Sequence, residues 1–216
     1  MNKKESVKGV RNIKKNTNII KKFWNFLWNG DSLLSWVCFL IFIFVVIKFI
    51  FFPTLSLLTG TSLPIVIVES CSMYHDARDF DKWWEANGEW YKDKDITKEQ
   101  FKDFKLINGF SKGDIFLING VDKDEIKLGD TIIFTSGQSA RPIIHRVVNL
   151  SPLATKGDNN DGQFSSANNL AGIDETNITE ERIIGKATNI RIPLFGWIKL
   201  IFYEPFRSEN DKGFCK

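Results

Sequence analysis

Val66-Ile67-Val68-Glu69-Ser70-Cys71-Ser72-Met73 is the stretch on which the reading of this chain turns. An apolar, β-branched run ends, and two hydroxyls and a thiol follow within three residues. A short buried strand that delivers a Ser at its exit can hold a nucleophile rigidly. Turn formation also places Ser after strands, so the stretch needs support from elsewhere in the chain.

Working outward, the 216 residues are enough for one medium domain or for a domain plus a membrane anchor. The charge is uneven. Residues 1–30 carry eight Lys/Arg against Glu5 alone, a local balance of +7, whereas the whole chain sums to +3. A basic head on a mildly acidic body argues against a nucleic-acid partner, whose basic surface should lie on the folded domain. It fits a positive flank beside a membrane span. The three Cys, at 38, 71 and 215, are odd in number and match no zinc-ligand spacing. Neither a disulfide framework nor a metal site nor a cofactor is expected.

Residues 1–18 read as a disordered basic tail within a cytoplasmic head of 1–30, with a short aromatic helix around Phe23, Trp24, Phe26, Leu27 and Trp28. Residues 33–52 form an apolar run with one charge, Lys48, near its end where it can snorkel. A bilayer core needs about 20 apolar residues as a helix. The basic flank is long and no small-residue cleavage site follows closely, so an uncleaved single-pass anchor over 31–58 is expected rather than a signal peptide. The Lys/Arg excess puts the N-terminus in the cytoplasm and the body outside. Pro53, Gly60 and Pro64 make 53–65 read as the exit from the lipid bilayer.

The body spans 59–206, followed by a polar tail over 207–216. Its first part, 76–110, mixes Trp and Phe with many charges, and Thr97-Lys-Glu-Gln100 has capping-box spacing. One or two short helices inserted between strands are expected there, packing onto the body or covering a cleft. Strands are expected at 113–120, 129–136, 142–148 and 183–192, each a β-branched run bounded by turn residues. Residues 151–180 are polar and read as a long loop, and 192–203 are apolar but too short to span. The expected fold is therefore mainly β, an antiparallel domain with a short helical insertion, preceded by a single transmembrane helix. Asn149-Leu-Ser and Asn177-Ile-Thr are glycosylation-type triplets of the kind that arise by chance.

Only two His occur, His75 and His145. Ser72, His145 and an Asp are the parts of a nucleophilic hydrolase. The hydroxyl needs a neighbouring base, and the base needs an acceptor to set its tautomer. Asp158 lies in the acidic turn Thr155-Lys-Gly-Asp-Asn-Asn-Asp161, where an Asx turn is the bland alternative. Spacing does not show that the three meet.

Five blocks in order resemble type I signal peptidase over about residues 66–192. They are Ser70-Cys-Ser-Met73, Gly113-Asp-Ile-Phe-Leu, Gly129-Asp-Thr-Ile-Ile-Phe, Pro142-Ile-Ile-His-Arg-Val-Val and Thr155-Lys-Gly-Asp-Asn-Asn. His145 stands where the bacterial branch has Lys, so the resemblance is to the archaeal and endoplasmic-reticulum branch. It implies a signal-peptidase-like fold, Ser72 as nucleophile, His145 as general base, and Ser70 with the Ser72 N–H as oxyanion donors. Met73 would line the substrate pocket and Asp158 would match the family's Asp. The chain departs from the family in having His75 where Pro is common. A second family Asp is also displaced, which leaves the triad acid open between Asp158 and Asp161, with Asp174 third. His75 is a less favoured alternative base. The implied partners are signal peptides of exported preproteins, the bilayer and the protein-export machinery. Two other readings use the same residues: a related Ser protease with a dedicated membrane substrate, and a non-catalytic tethered domain binding partners through its aromatic insert.

Overall fold

The computed structural model describes residues 19–76, 79–135, 142–165 and 172–216. The expected disordered tail at 1–18 lies outside them. The chain divides into two compact units, Met1–Leu55 and Ser56–Lys216.

In the first unit a helix over 19–29 (α1) turns at Gly30 into a long helix beginning at Leu33 (α2). Ser32 caps α2, its hydroxyl accepting from the Ser35 N–H at 3.2 Å. Trp24 and Trp28, one turn apart on α1, stack at 5.2 Å, and Trp28 meets Phe39 edge-on at 5.3 Å. The helix runs Leu33–Thr59, and among the described residues it is the one long and apolar enough to cross a membrane. At 1.5 Å per residue its 27 residues reach about 40 Å, against about 30 Å of hydrocarbon.

The helix continues six residues past Pro53 and ends within a residue of the expected anchor boundary at 58. Pro53 offers no N–H and its ring crowds the carbonyl four residues back. A π-turn at Ile47–Phe51 lies just upstream and widens the ladder there. The helix ends at Gly60, whose φ of +67° is the left-handed conformation that glycine adopts freely.

The second unit is built on a six-stranded antiparallel sheet in the order β1-β2-β6-β3-β4-β5. The strands are Ile65–Ile67 (β1), Ile115–Asn119 (β2), Thr131–Phe134 (β3), Ile143–Leu150 (β4), Leu153–Lys156 (β5) and Ile183–Ile192 (β6). β5 falls inside the stretch expected to be loop. It pairs back on β4 through a two-residue turn at Ser151–Pro152, and all four of its residues are buried. The insert forms two helices, Phe80–Lys92 (α3) and Lys98–Lys102 (α4), and the Thr97/Gln100 capping box is made in both directions. With the α2 helix in addition to α3, α4 and a sheet of short strands, the architecture is mixed rather than mainly β.

Alternation along β4 organises the interior. Ile144 packs with Val68, Met73, Phe110, Phe116 and Ile133 in one cluster, and Val148 packs with Phe80, Trp83, Trp84, Tyr91 and Phe101 of the insert in another. Val147 belongs to the opposite face, with Ile132, Phe134, Leu153 and Ile178. His145 shares the parity of Val147, and Arg146 that of Ile144 and Val148.

The absence of a disulfide framework also needs correction: Cys71 and Cys215 are bonded across a separation of 144 residues. An odd cysteine count hid the pairing, because Cys38, in α2, is the one left free.

Candidate active site

β1 ends at Ile67, and the chain passes through Ser70 and Cys71 to place Ser72 in a turn. The turn is pinned just after Ser72. The Met73 carbonyl accepts from the Phe110 N–H at 2.9 Å, and Tyr74 bridges to Gly109. β4 presents His145 from the sheet, and its Nε2 lies 2.9 Å from Ser72 Oγ. The backbone at Gly157 passes directly beside this ring: a Cβ there would stand 2.8 Å from His145 Nε2. Glycine is needed for that approach.

The other ring nitrogen, His145 Nδ1, is hydrogen-bonded to Glu175 Oε1. Glu175 is fully buried and well held. Its Oε2 accepts from the Phe164 N–H at 2.9 Å and its Oε1 from the Thr155 hydroxyl at 3.2 Å. Its own N–H and carbonyl pair with Phe164 and Thr155, each at 2.9 Å. With Nδ1–H donating to Glu175, Nε2 turns its lone pair to the Ser72 hydroxyl. The constellation can therefore deprotonate Ser72 as it attacks and hold the resulting imidazolium against a carboxylate.

The carboxylate beside His145 is thus Glu175, not Asp158, Asp161 or Asp174. Asp158 lies on the opposite face of β4, drawn there by Arg146, the residue after His145. Arg146 Nε and Nη2 reach its two oxygens at 2.7 to 3.1 Å. The same carboxylate accepts from the Tyr91 hydroxyl at 2.9 Å and lies 2.9 Å from His75 Nε2. Every side chain of this group is buried. Burial works to raise the Asp158 carboxyl, but the Arg146 charge and the His75 hydrogen bond more than offset it, holding the group well below the usual carboxylate range. Burial, reinforced by the Asp158 charge, pushes the Tyr91 phenol well up. Asp161 is exposed, and Asp174 is occupied by Thr176, whose N–H and hydroxyl donate to it at 2.9 and 2.7 Å.

His75 sits under Asp158, stacked on Trp83 at 3.9 Å, and so is not placed as a base for Ser72. Ser70 Oγ is 3.1 Å from Ser72 Oγ, within reach of a carbonyl oxygen attacked there. Met73 is 1% exposed, and its sulfur accepts from the Asp158 N–H. It packs in the core beside Ser72 instead of lining an open pocket. The insert, through Tyr91, Trp83 and the Phe101 ring under Arg146 at 4.8 Å, supports the Asp158 network. Lys156 is buried over Trp90 and Tyr91, and burial depresses its ammonium to about 8 despite the Asp158, Glu175 and Asp161 charges.

Glu175 escaped the sequence reading because it lies in an irregular segment and because a family pattern drew attention to Asp residues. The chemistry asks only for a carboxylate acceptor, so Glu175, next to the Asp174 already considered, was the candidate that this wider criterion admits. Among the described residues no cluster of three or more His, Cys, Asp or Glu is arranged to hold a metal ion. No family model matches the sequence, and no curated protein matches it either.

Proposed function

We propose that this chain is a membrane-anchored serine endopeptidase that removes signal peptides from exported preproteins. The observation that carries the proposal is the line Ser72 Oγ to His145 Nε2, at 2.9 Å, continued from His145 Nδ1 to Glu175. Ser72 attacks the scissile carbonyl while His145 takes its proton, and Glu175 holds the imidazolium. The Ser70 hydroxyl and the Ser72 N–H stabilise the oxyanion. His145 then returns the proton to the leaving amine, and water hydrolyses the acyl-enzyme by the same route in reverse.

The substrate class rests on the ordered blocks shared with type I signal peptidase. β1 is an edge strand leading directly to Ser72, which suits an extended peptide adding beside it. The apolar α2 helix suits a site held near a bilayer, where the substrate's apolar segment remains, and tethering raises the effective concentration. The basic residues preceding α2 favour a cytoplasmic N-terminus. A disulfide in the second unit favours an oxidising, extracytoplasmic compartment for it. Ile198, Ile201, Phe202 and Phe206 are each more than 60% exposed, an apolar surface suited to the headgroup region.

The test is cleavage of a preprotein by the full chain in lipid vesicles. Ser72→Ala and His145→Ala are each expected to lower turnover by about four orders of magnitude or more. Full activity in either variant overturns the assignment.

A further inference from the structure

The C-terminal segment from Trp197 folds back onto the loop that carries Ser72, and the cleavage chemistry described above does not use it. Ser72 lies five residues beyond the end of β1, so no sheet ladder fixes it. Two grips do. On one side Asn159 donates its N–H to the Ser72 carbonyl at 2.7 Å and its side-chain amide to the Cys71 carbonyl at 3.2 Å. On the other, Cys215 is bonded to Cys71, and Arg207 donates to the Glu69 carbonyl at 2.9 Å and to its carboxylate at 3.1 Å.

The segment making this second grip is itself anchored. Buried Lys112 reaches Glu204 Oε1 and the Asp211 carbonyl, both at 2.6 Å. Glu204 also accepts from the Gly213 N–H at 2.8 Å, and Trp197 packs on Phe214 with ring centres 4.4 Å apart. The Glu69 pairs are partly exposed, and pairs of that kind are weak alone. The covalent link is therefore the firmer part of this second grip, one residue from Ser72.

We propose that this C-terminal strap, closed by Cys71–Cys215, is a positioning device that keeps the Ser72 hydroxyl in register with His145. The inference rests on the serine-peptidase reading. Opening the disulfide leaves β1 and its open edge in place, so turnover falls while substrate binding holds. Displacement of a reacting group by about 1 Å costs up to roughly a hundredfold.

The experiment uses the full chain in vesicles with Cys38→Ser, so that Cys71 and Cys215 are the sole cysteines. The protein is assayed oxidised, after reduction with a phosphine, and after re-oxidation, beside Cys215→Ser. The expected result is a kcat lowered about ten- to a hundredfold on reduction, with KM changed less than about twofold. Re-oxidation restores it, and Cys215→Ser stays low and insensitive to reductant. Arg207→Met, which retains the disulfide, is expected to lower kcat a few-fold and guards against failure of Cys215→Ser to fold. An unchanged kcat on reduction and in both variants, or a change confined to KM, overturns the proposal. Ser72→Ala, run in parallel, separates the two readings. Cleavage by Ser72→Ala sinks the peptidase assignment, whereas inactive Ser72→Ala beside fully active Cys215→Ser sinks the strap alone.

Discussion

Glu175→Gln is expected to lower kcat by three to four orders of magnitude while KM stays within a few-fold. The amide is nearly isosteric, its oxygen can keep the Phe164 N–H and its NH2 can donate to the Thr155 hydroxyl oxygen, so the fold should persist. What changes is the ring. A neutral amide neither holds the Nδ1–H tautomer firmly nor stabilises the imidazolium that forms when His145 takes the Ser72 proton. Asp161→Asn and Asp174→Asn, by contrast, should leave turnover within about twofold, because neither carboxylate meets His145 and surface changes are usually small in effect. Preprotein cleavage assays on the three variants decide it. A fully active Glu175→Gln would mean that the carboxylate beside His145 is not used.

Asp158→Asn should act on stability. It leaves the buried Arg146 guanidinium without its counter-charge. Breaking a buried pair in this way costs about 3–5 kcal/mol, which for a domain of this size lowers the thermal midpoint by roughly 10 °C. The double variant Asp158→Asn/Arg146→Met should recover part of the loss, since the uncompensated charge is then gone. The pH dependence has a definite sign. Asp158 is held below its ordinary range in the folded protein, so its contribution is fully present above the unfolded-state pKa of about 3.9. It is lost as the pH falls through the folded value. The wild-type advantage over Asp158→Asn should therefore be constant above about pH 5 and shrink below about pH 4. An equal thermal midpoint for the two proteins at neutral pH would contradict this role.

These two predictions divide what the sequence makes legible from what it hides. Short β-branched runs bounded by turn residues announce β2, β3, β4 and β6, and the Thr97/Gln100 spacing announces α4, because each signal is local. The pairing of Ser72 with His145 is not visible in spacing and is expected only from the resemblance to type I signal peptidase. β5 is hidden because Leu153-Ala-Thr-Lys156 is short, half polar and poor in β-branched residues, inside a polar stretch. The π-turn at Ile47–Phe51 is hidden because it leaves no mark in composition. Cys71–Cys215 and Glu175 are long-range facts. The first closes 144 residues and the second reaches His145 from an irregular segment 30 residues away. Arg146 explains why the more conspicuous Asp158 goes elsewhere. Strand parity sends residues 145 and 146 to opposite faces, and the guanidinium takes the acidic turn with it.

The central claim is that His145 activates the Ser72 hydroxyl for attack. It is tested most directly by treating the intact chain in lipid vesicles with a serine-directed fluorophosphonate and locating the adduct by peptide mass spectrometry. The account predicts one covalent adduct, on Ser72, that His145→Ala loses. An adduct on another residue, no adduct, or equal labelling of His145→Ala would contradict it.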